Sequence, residues 1–208
     1  MMNKNNKICV VGASGLVGSS IVRYALERGD FVNGTLTDKS DTSKVKYLKK
    51  LKNSRNLELF SAKMENEKDF INPMENTDAV FIACLIPTYK GKDGTPAKEM
   101  DDKRGYQEII NPTVNGCLNI IKAAKIKDIN NIIICSSTSS TNPLPPVKFK
   151  NEIEHWSDEK EQCKAKNIHP PRKQSWRKWL LNIVKKMILD FQLFYLQGYM
   201  VIPFYLCI

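Results

Sequence analysis

At 208 residues, 42% hydrophobic and 26% charged, the chain can bury a full core, which excludes a disordered or fibrous protein. The formal net charge of +10 raises the question of anionic partners. Residues 168–208 hold six Lys/Arg and one acid, a net +5, and the other 167 residues share the remaining +5 as basic residues dispersed among acids, a pattern that fits a solvated surface.

In chain order, Lys7–Val11 is a short β-branched run that predicts a strand. Leu16, Ile21, Val22, Ala25 and Leu26 then recur at helical spacing over Leu16–Arg28, and Gly29 stands where a helix C′ residue is expected. Phe31–Thr37 predicts a second strand and Asp41–Leu51 a helix with Val45, Leu48 and Leu51 on one face. Asn56–Ala62 predicts a third strand, and Glu65–Met74 a weaker helix broken near Pro73. Asp78–Cys84 is an almost unbroken apolar run, as suits a parallel strand covered on both faces. Asp102–Ile126 predicts a long helix in which Pro112 allows a kink or a new start. Asn130–Cys135 predicts a fifth strand, followed by a small-residue turn at Ser136–Ser140. Strands alternating with helices predict an α/β fold, a doubly wound parallel sheet of Rossmann type in the order 3-2-1-4-5.

Gly12-Ala13-Ser14-Gly15-Leu16-Val17-Gly18 lies between the first strand and the first helix with GxxGxxG spacing. In that context the glycines allow a tight turn, close approach of a pyrophosphate and close packing of helix on strand. The motif therefore predicts a dinucleotide site that takes in Gly12, Ser14, Gly15, Leu16, Val17 and Gly18. Asp38, twenty residues after Gly18, stands where an acid binds adenosine ribose hydroxyls, or serves as a helix cap. Lys39 and Lys44 are placed to meet a 2′-phosphate instead, so the expected cofactor is NADP or NAD. The six cysteines lack CxxC spacing and the two histidines are far apart, which predicts no metal site and reduced, buried thiols in a cytoplasmic protein. Met1–Lys7 shows no secretory pattern.

Five segments in order, VVGASGLVGSSIVRYALERGDFVNGTLTD, NLELFSAKMENEKDF, DAVFIAC, INPTVNGCLNIIKAAK and NIIICSST, resemble the extended short-chain dehydrogenase/reductases over residues 7–138. The resemblance is to the dihydroflavonol reductase and cinnamoyl-CoA reductase branch, within the NAD-dependent epimerase/dehydratase superfamily; the branch also carries WSDE, here residues 156–159. It implies an oxidoreductase acting on a carbonyl or secondary alcohol of a small-molecule substrate. Gly12, Gly15 and Gly18 would cradle the pyrophosphate, Ala83 would line the nicotinamide side, and Asn115 would support the active site. Thr138, with Ser137 as its rival, would hydrogen-bond the substrate carbonyl, and Lys173 would be the lysine of the YxxxK motif. A homodimer through the helices flanking the fourth strand is implied by the same analogy. Three departures stand out. Thr37 replaces the usual Arg, Lys63 stands where an Asp near the adenine is usual, and Asn167–Gln174 contains no tyrosine. His169 is a conceivable substitute proton donor there.

From about Ile168 the pattern of the family is lost, and Phe191–Ile208 carries no charge. Residues 1–150 are thus expected to form the NAD(P)-binding domain. Residues 151–208 are expected to be an irregular segment, truncated or out of frame, with the substrate region missing or aberrant. A one-base shift across Gln197–Val201 yields Arg/Gly, Leu/Ile/Val, Tyr/His, Gly, similar to the R-x-Y-G turn that follows the family's sixth strand. The uncharged end is at the short limit for a membrane span and is interrupted by Gly198 and Pro203, which argues against membrane association. Nucleic-acid binding has no supporting motif.

Overall fold

The computed structural model describes residues 5–84, 90–96, 99–137, 143, 145–149, 155 and 200–206. The chain divides into two compact units. The first contains the greater part of a six-stranded sheet in the order β3-β2-β1-β4-β5-β6. Its strands are β1 (Lys7–Val11), β2 (Phe31–Leu36), β3 (Leu57–Ser61), β4 (Ala79–Ile82), β5 (Asn131–Ser137) and β6 (Met200–Leu206). The pairs β1/β2, β1/β4, β2/β3 and β4/β5 are all parallel, with Val10 opposite Gly34 and Phe81. The 3-2-1-4-5 order predicted from the alternation of elements is the one the sheet adopts.

Helix α1 (Leu16–Glu27) buries Gly18, Val22, Ala25 and Leu26. They join Ile8, Val10, Ala13, Val32 and Leu48 in one apolar cluster. The helix stops as its sequence predicts: Gly29 has φ +89°, its N–H bonds Leu26 O, and Asp30 N–H bonds Ala25 O. Helix α2 (Thr42–Lys49) is capped by the Asp41 carboxylate, which accepts from Ser43 N, and it buries Val45 and Leu48. In α4 (Asn111–Ile126), Cys117, Ile120, Ile121 and Ala124 form a fully buried stripe at helical spacing.

The structure corrects three expectations. Glu65–Met74 is not a helix but a single 3-10 turn, Glu67–Phe70, because Asn66 caps it at one end and Pro73 soon follows at the other. Ser136 and Ser137, expected to open a turn that runs to Ser140, instead continue strand β5, and the rest of that turn lies outside the described residues. Within the segment expected to be irregular, Met200–Leu206 is strand β6, beside β5 at the end of the sheet. Pro203, which has no N–H, is tolerated there because β6 is an edge strand.

The second unit contains α3 (Asp102–Gly105) and the π-helical segment Tyr106–Ile110, which leads into α4. Asn111 N–H bonds Tyr106 O, five residues back. Pro112 has no N–H to give Glu108 O and its ring would crowd that carbonyl, so the wide turn absorbs what a regular helix would leave strained. The kink allowed at Pro112 thus takes the form of a π segment just before it. In the same unit a small hairpin, residues 90–96, closes with a Lys90–Pro96 bridge and a Gly91 N–H to Thr95 O bond of 2.8 Å.

Candidate dinucleotide site

The end of β1 delivers the chain into a turn held by its neighbour β2. Gly12 N–H and Ala13 N–H both donate to Thr35 O, at 3.1 and 2.8 Å, and Gly15 N–H donates to Gly12 O at 3.0 Å. Gly12 has φ +82°, and a Cβ there would stand 2.5 Å from the Cβ of Cys84. A Cβ on Gly18 would stand 2.0 Å from Gly12 O and 2.7 Å from Gly12 C, so only glycine lets α1 rest on the turn. Gly15 differs from both. Its backbone is extended (φ −74°, ψ 168°), and a Cβ would meet only Gly12 O, at 3.4 Å. Space inside the protein does not require a glycine at 15.

Helix α1 starts at this turn without a side-chain cap and without an acid in its first turn. The N–H groups of Leu16, Val17 and Gly18 find no backbone acceptor among the described residues. These are the orphan donors of a helix N-terminus, and the helix dipole adds partial positive charge at the same place. Gly15 and Leu16 are exposed and Ser14 is half-buried, so a ligand can reach the donors. The residues present therefore fit a pyrophosphate.

Asp38 follows β2 on the same side of the sheet. Its Oδ1 accepts from Ser40 N at 2.8 Å and from Ser40 Oγ at 2.6 Å. The Ser40 bonds hold its carboxyl below the usual carboxylate range, so it is ionised and oriented. Lys39 N–H bonds Ser61 Oγ at 3.0 Å, tying the loops after β2 and β3 together. Lys63 is exposed, and its N–H bonds Asp69 Oδ2 at 3.0 Å. Asp69 also accepts from Asn66 Nδ2 at 2.5 Å, so this acid, which sequence reasoning passed over, organises the loop that presents Lys63. Met64 is pinned from the other side: Asn119 Nδ2 donates to its carbonyl at 2.9 Å, and a Cβ on Gly116 would collide with its side chain at 2.8 Å.

Ala83, half-buried, donates its N–H to Val11 O at 3.0 Å and so lies at the end of β4, level with the end of β1. Cys84 beside it is half-buried, and burial raises its thiol pKa. Cys9 and Cys117 are fully buried and pushed up to about 12 by desolvation, as expected of inert core thiols. Asn115 is exposed on α4, whereas its neighbour Gly116 faces Met64. The second half of the Asn-Gly pair thus has a packing reason and the first has none within the described residues. Ser137 is the last residue of β5. Thr138, Lys173 and His169 lie outside the described residues.

Residues 12–168 match a family model described as NAD(P)H-binding. The chain belongs to that family, the epimerase/dehydratase type of Rossmann protein. As a member it binds NAD(P)H, in keeping with the free donors at the start of α1. Among curated relatives it is 32% identical over 160 residues to dihydroflavonol 4-reductase of Arabidopsis thaliana, covering 76% of this chain and 39% of that protein. It is 27% identical over 157 residues to anthocyanidin reductase of the same plant, covering 74% of this chain and 43% of that one. The chain thus spans about two fifths of the length of these relatives. Among solved structures, vestitone reductase from alfalfa (Medicago sativa) shares the fold with a TM-score of 0.64, at 24% identity, over 96% of this chain and 56% of that one. The NADPH complex of yeast methylglyoxal/isovaleraldehyde reductase gives a TM-score of 0.63 at 14% identity, over 96% and 56%. Among the described residues, no helix is long and apolar enough to cross a membrane.

Proposed function

We propose that this chain is the cofactor-binding part of an NAD(P)-dependent reductase for a carbonyl or secondary alcohol, and that as its sequence stands it binds the dinucleotide without turning substrate over. The observation that carries the binding is the uncapped start of α1, where the N–H groups of Leu16, Val17 and Gly18 find no backbone acceptor among the described residues, beside a turn that needs glycine at 12 and 18. The bound dinucleotide would supply hydride; this chain's part is to hold its pyrophosphate and ribose. What removes turnover is the sequence around Lys173. Four residues before it stands His169, where the YxxxK pattern has its tyrosine, so the phenol that would protonate the carbonyl oxygen is missing. The resemblance to dihydroflavonol 4-reductase supports a reductase of small molecules, and the out-of-frame reading of residues from about 168 belongs to the same proposal. On that reading a relative in the correct frame is the active enzyme.

Titration of the full chain with NADH and with NADPH, followed by nucleotide fluorescence, tests the binding. Saturable one-to-one binding of either is the expected result, and binding of neither would overturn the proposal. Incubation with NADPH and a panel of aldehydes, ketones and flavanonols should give no oxidation above the protein-free rate. Oxidation above that rate would refute the loss of turnover while leaving the binding intact.

A further inference from the structure

Residues 39–55 contain six lysines and one arginine against a single acid, Asp41. That net +6, out of +10 for the whole chain, falls on one loop, helix α2 and its exit. This stretch therefore holds seven of the 26 basic residues of the body and accounts for its net positive charge, while the other basic residues are dispersed among acids. Against α2 lies a cavity of about 450 Å³, lined by Lys39, Ser40, Lys49, Ser54, Leu57 and Leu59. Its volume is in the range of small-molecule pockets. Leu57 and Leu59 belong to β3, the edge strand, and both stay half-buried. Lys44 is paired with Asp41 at 3.3 Å, whereas neither Lys39 nor Lys49 enters an ion pair among the described residues.

We infer that the groove between α2 and β3 binds a small amphipathic anion, its apolar body over Leu57 and Leu59 and its carboxylate or phosphate between Lys39 and Lys49. Ser40 and Ser54 add hydroxyl donors. Two apolar side chains flanked by two unpaired cations and two hydroxyls are a poor match for a neutral lipid and for a naked inorganic ion. They suit a molecule with both characters. Lys49 ends α2, Ser54 opens the short turn after it and Leu57 begins β3, at the opposite end of the strands from the glycine turn that follows β1, while Lys39 and Ser40 lie beside Asp38 at the groove's other end. The proposal goes beyond the cofactor reading, and because Lys39 is also the candidate for a 2′-phosphate, its test rests on Lys49, at the far end of α2.

Calorimetric titration of the full chain with octanoate, octanol and inorganic phosphate tests it. Octanoate should bind saturably at one per chain, and Lys49→Glu should weaken it by about fivefold or more, as expected when one cation of a small site is reversed. Lys49→Arg should bind as the parent does, and NAD(P)H affinity of Lys49→Glu should equal the parent's, which shows the variant is folded. The proposal fails if octanoate does not saturate, if Lys49→Glu binds it as well as the parent, or if octanol binds equally tightly. It also fails if a short DNA duplex or a phosphatidylserine vesicle binds in a Lys49-dependent way and octanoate does not, since the patch would then serve a polyanionic surface.

Discussion

A methyl group added at Gly15 and one added at Gly18 have different consequences. At Gly18 the methyl meets the carbonyl of Gly12, which is backbone and cannot swing aside. Gly18→Ala should cost about 3 kcal/mol or more, the upper range for overpacking. For a chain of this size that lowers Tm by roughly 6–12 °C in a thermal melt. At Gly15 the dihedral angles already suit alanine and the nearest atom is 3.4 Å away. Gly15→Ala should therefore melt within a few degrees of the parent but bind NADH or NADPH about tenfold more weakly or worse, about 1.4 kcal/mol of lost affinity. A matched loss of stability in both variants would mean that the turn is a packing motif only. Sequence alone shows three glycines of equal standing. The difference between the glycine that packing requires and the one proposed to meet a ligand lies in what a Cβ would touch, which three-dimensional packing alone decides.

At the scale of elements, the hairpin 90–96 hangs on one arginine. Arg104 pairs with Asp93, its Nε donates to Glu108 Oε1 at 2.8 Å, and Glu108 Oε2 accepts from Lys92 N–H at 2.9 Å. Arg104 is the main reason that Asp93 and Glu108 both titrate below the ordinary carboxylate range. Because the folded pKa values are depressed, the stabilisation is full above the unfolded values of about 4 and is lost as pH falls through the folded ones. Pepsin cleavage within 90–96 should thus rise as pH is lowered below about 4, where both unfolded-state carboxyls would already be protonated. Arg104→Gln should show the same cleavage already at higher pH, without the acid step. An acid step unchanged in Arg104→Gln would place the control elsewhere. None of this was legible beforehand. A run rich in Gly, Lys and Asp looks like any polar loop until its charges are seen to converge. By contrast β1, β2, β4 and the start of β5 were legible, since apolar runs between glycine, proline and charged punctuation leave little choice. Misreadings came where a short-range signal and the tertiary context disagreed. Glu65–Met74 had helical spacing but a proline near its end, and β6 lies in a stretch without charge or family pattern that gave no local strand signal.

For the whole molecule, the cofactor half of the fold is intact while the residues that should complete a reductase depart from the pattern. The loops that carry Thr37 and Lys63, the positions where the resemblance implies Arg and Asp, are firmly held by Ser61, Asp69 and Asn119. Sequencing of the transcript from codon 160 to codon 208, from independent material, decides the status of the tail. A gained or lost base near codon 168 is the expected finding, and the restored frame should carry a tyrosine four residues before a lysine. A clean read in the present frame would make the tail genuine and the chain a dinucleotide binder without a proton donor. Expressed from the restored frame, the protein should oxidise NADPH with a carbonyl substrate where the present chain does not.

The carbonyl of Thr35 has one further consequence. It accepts from the N–H groups of Gly12 and Ala13, while those of Leu16, Val17 and Gly18 donate to no backbone acceptor among the described residues. In deuterated buffer this short stretch should separate into two clocks. Gly12 and Ala13 should exchange slowly whether or not nucleotide is present, because a strand must detach before they open. Leu16, Val17 and Gly18 should exchange quickly in the free protein and stall when NADH or NADPH is added. If this turn is the proposed pyrophosphate site, it is set before its ligand arrives, and binding should cost little in chain ordering.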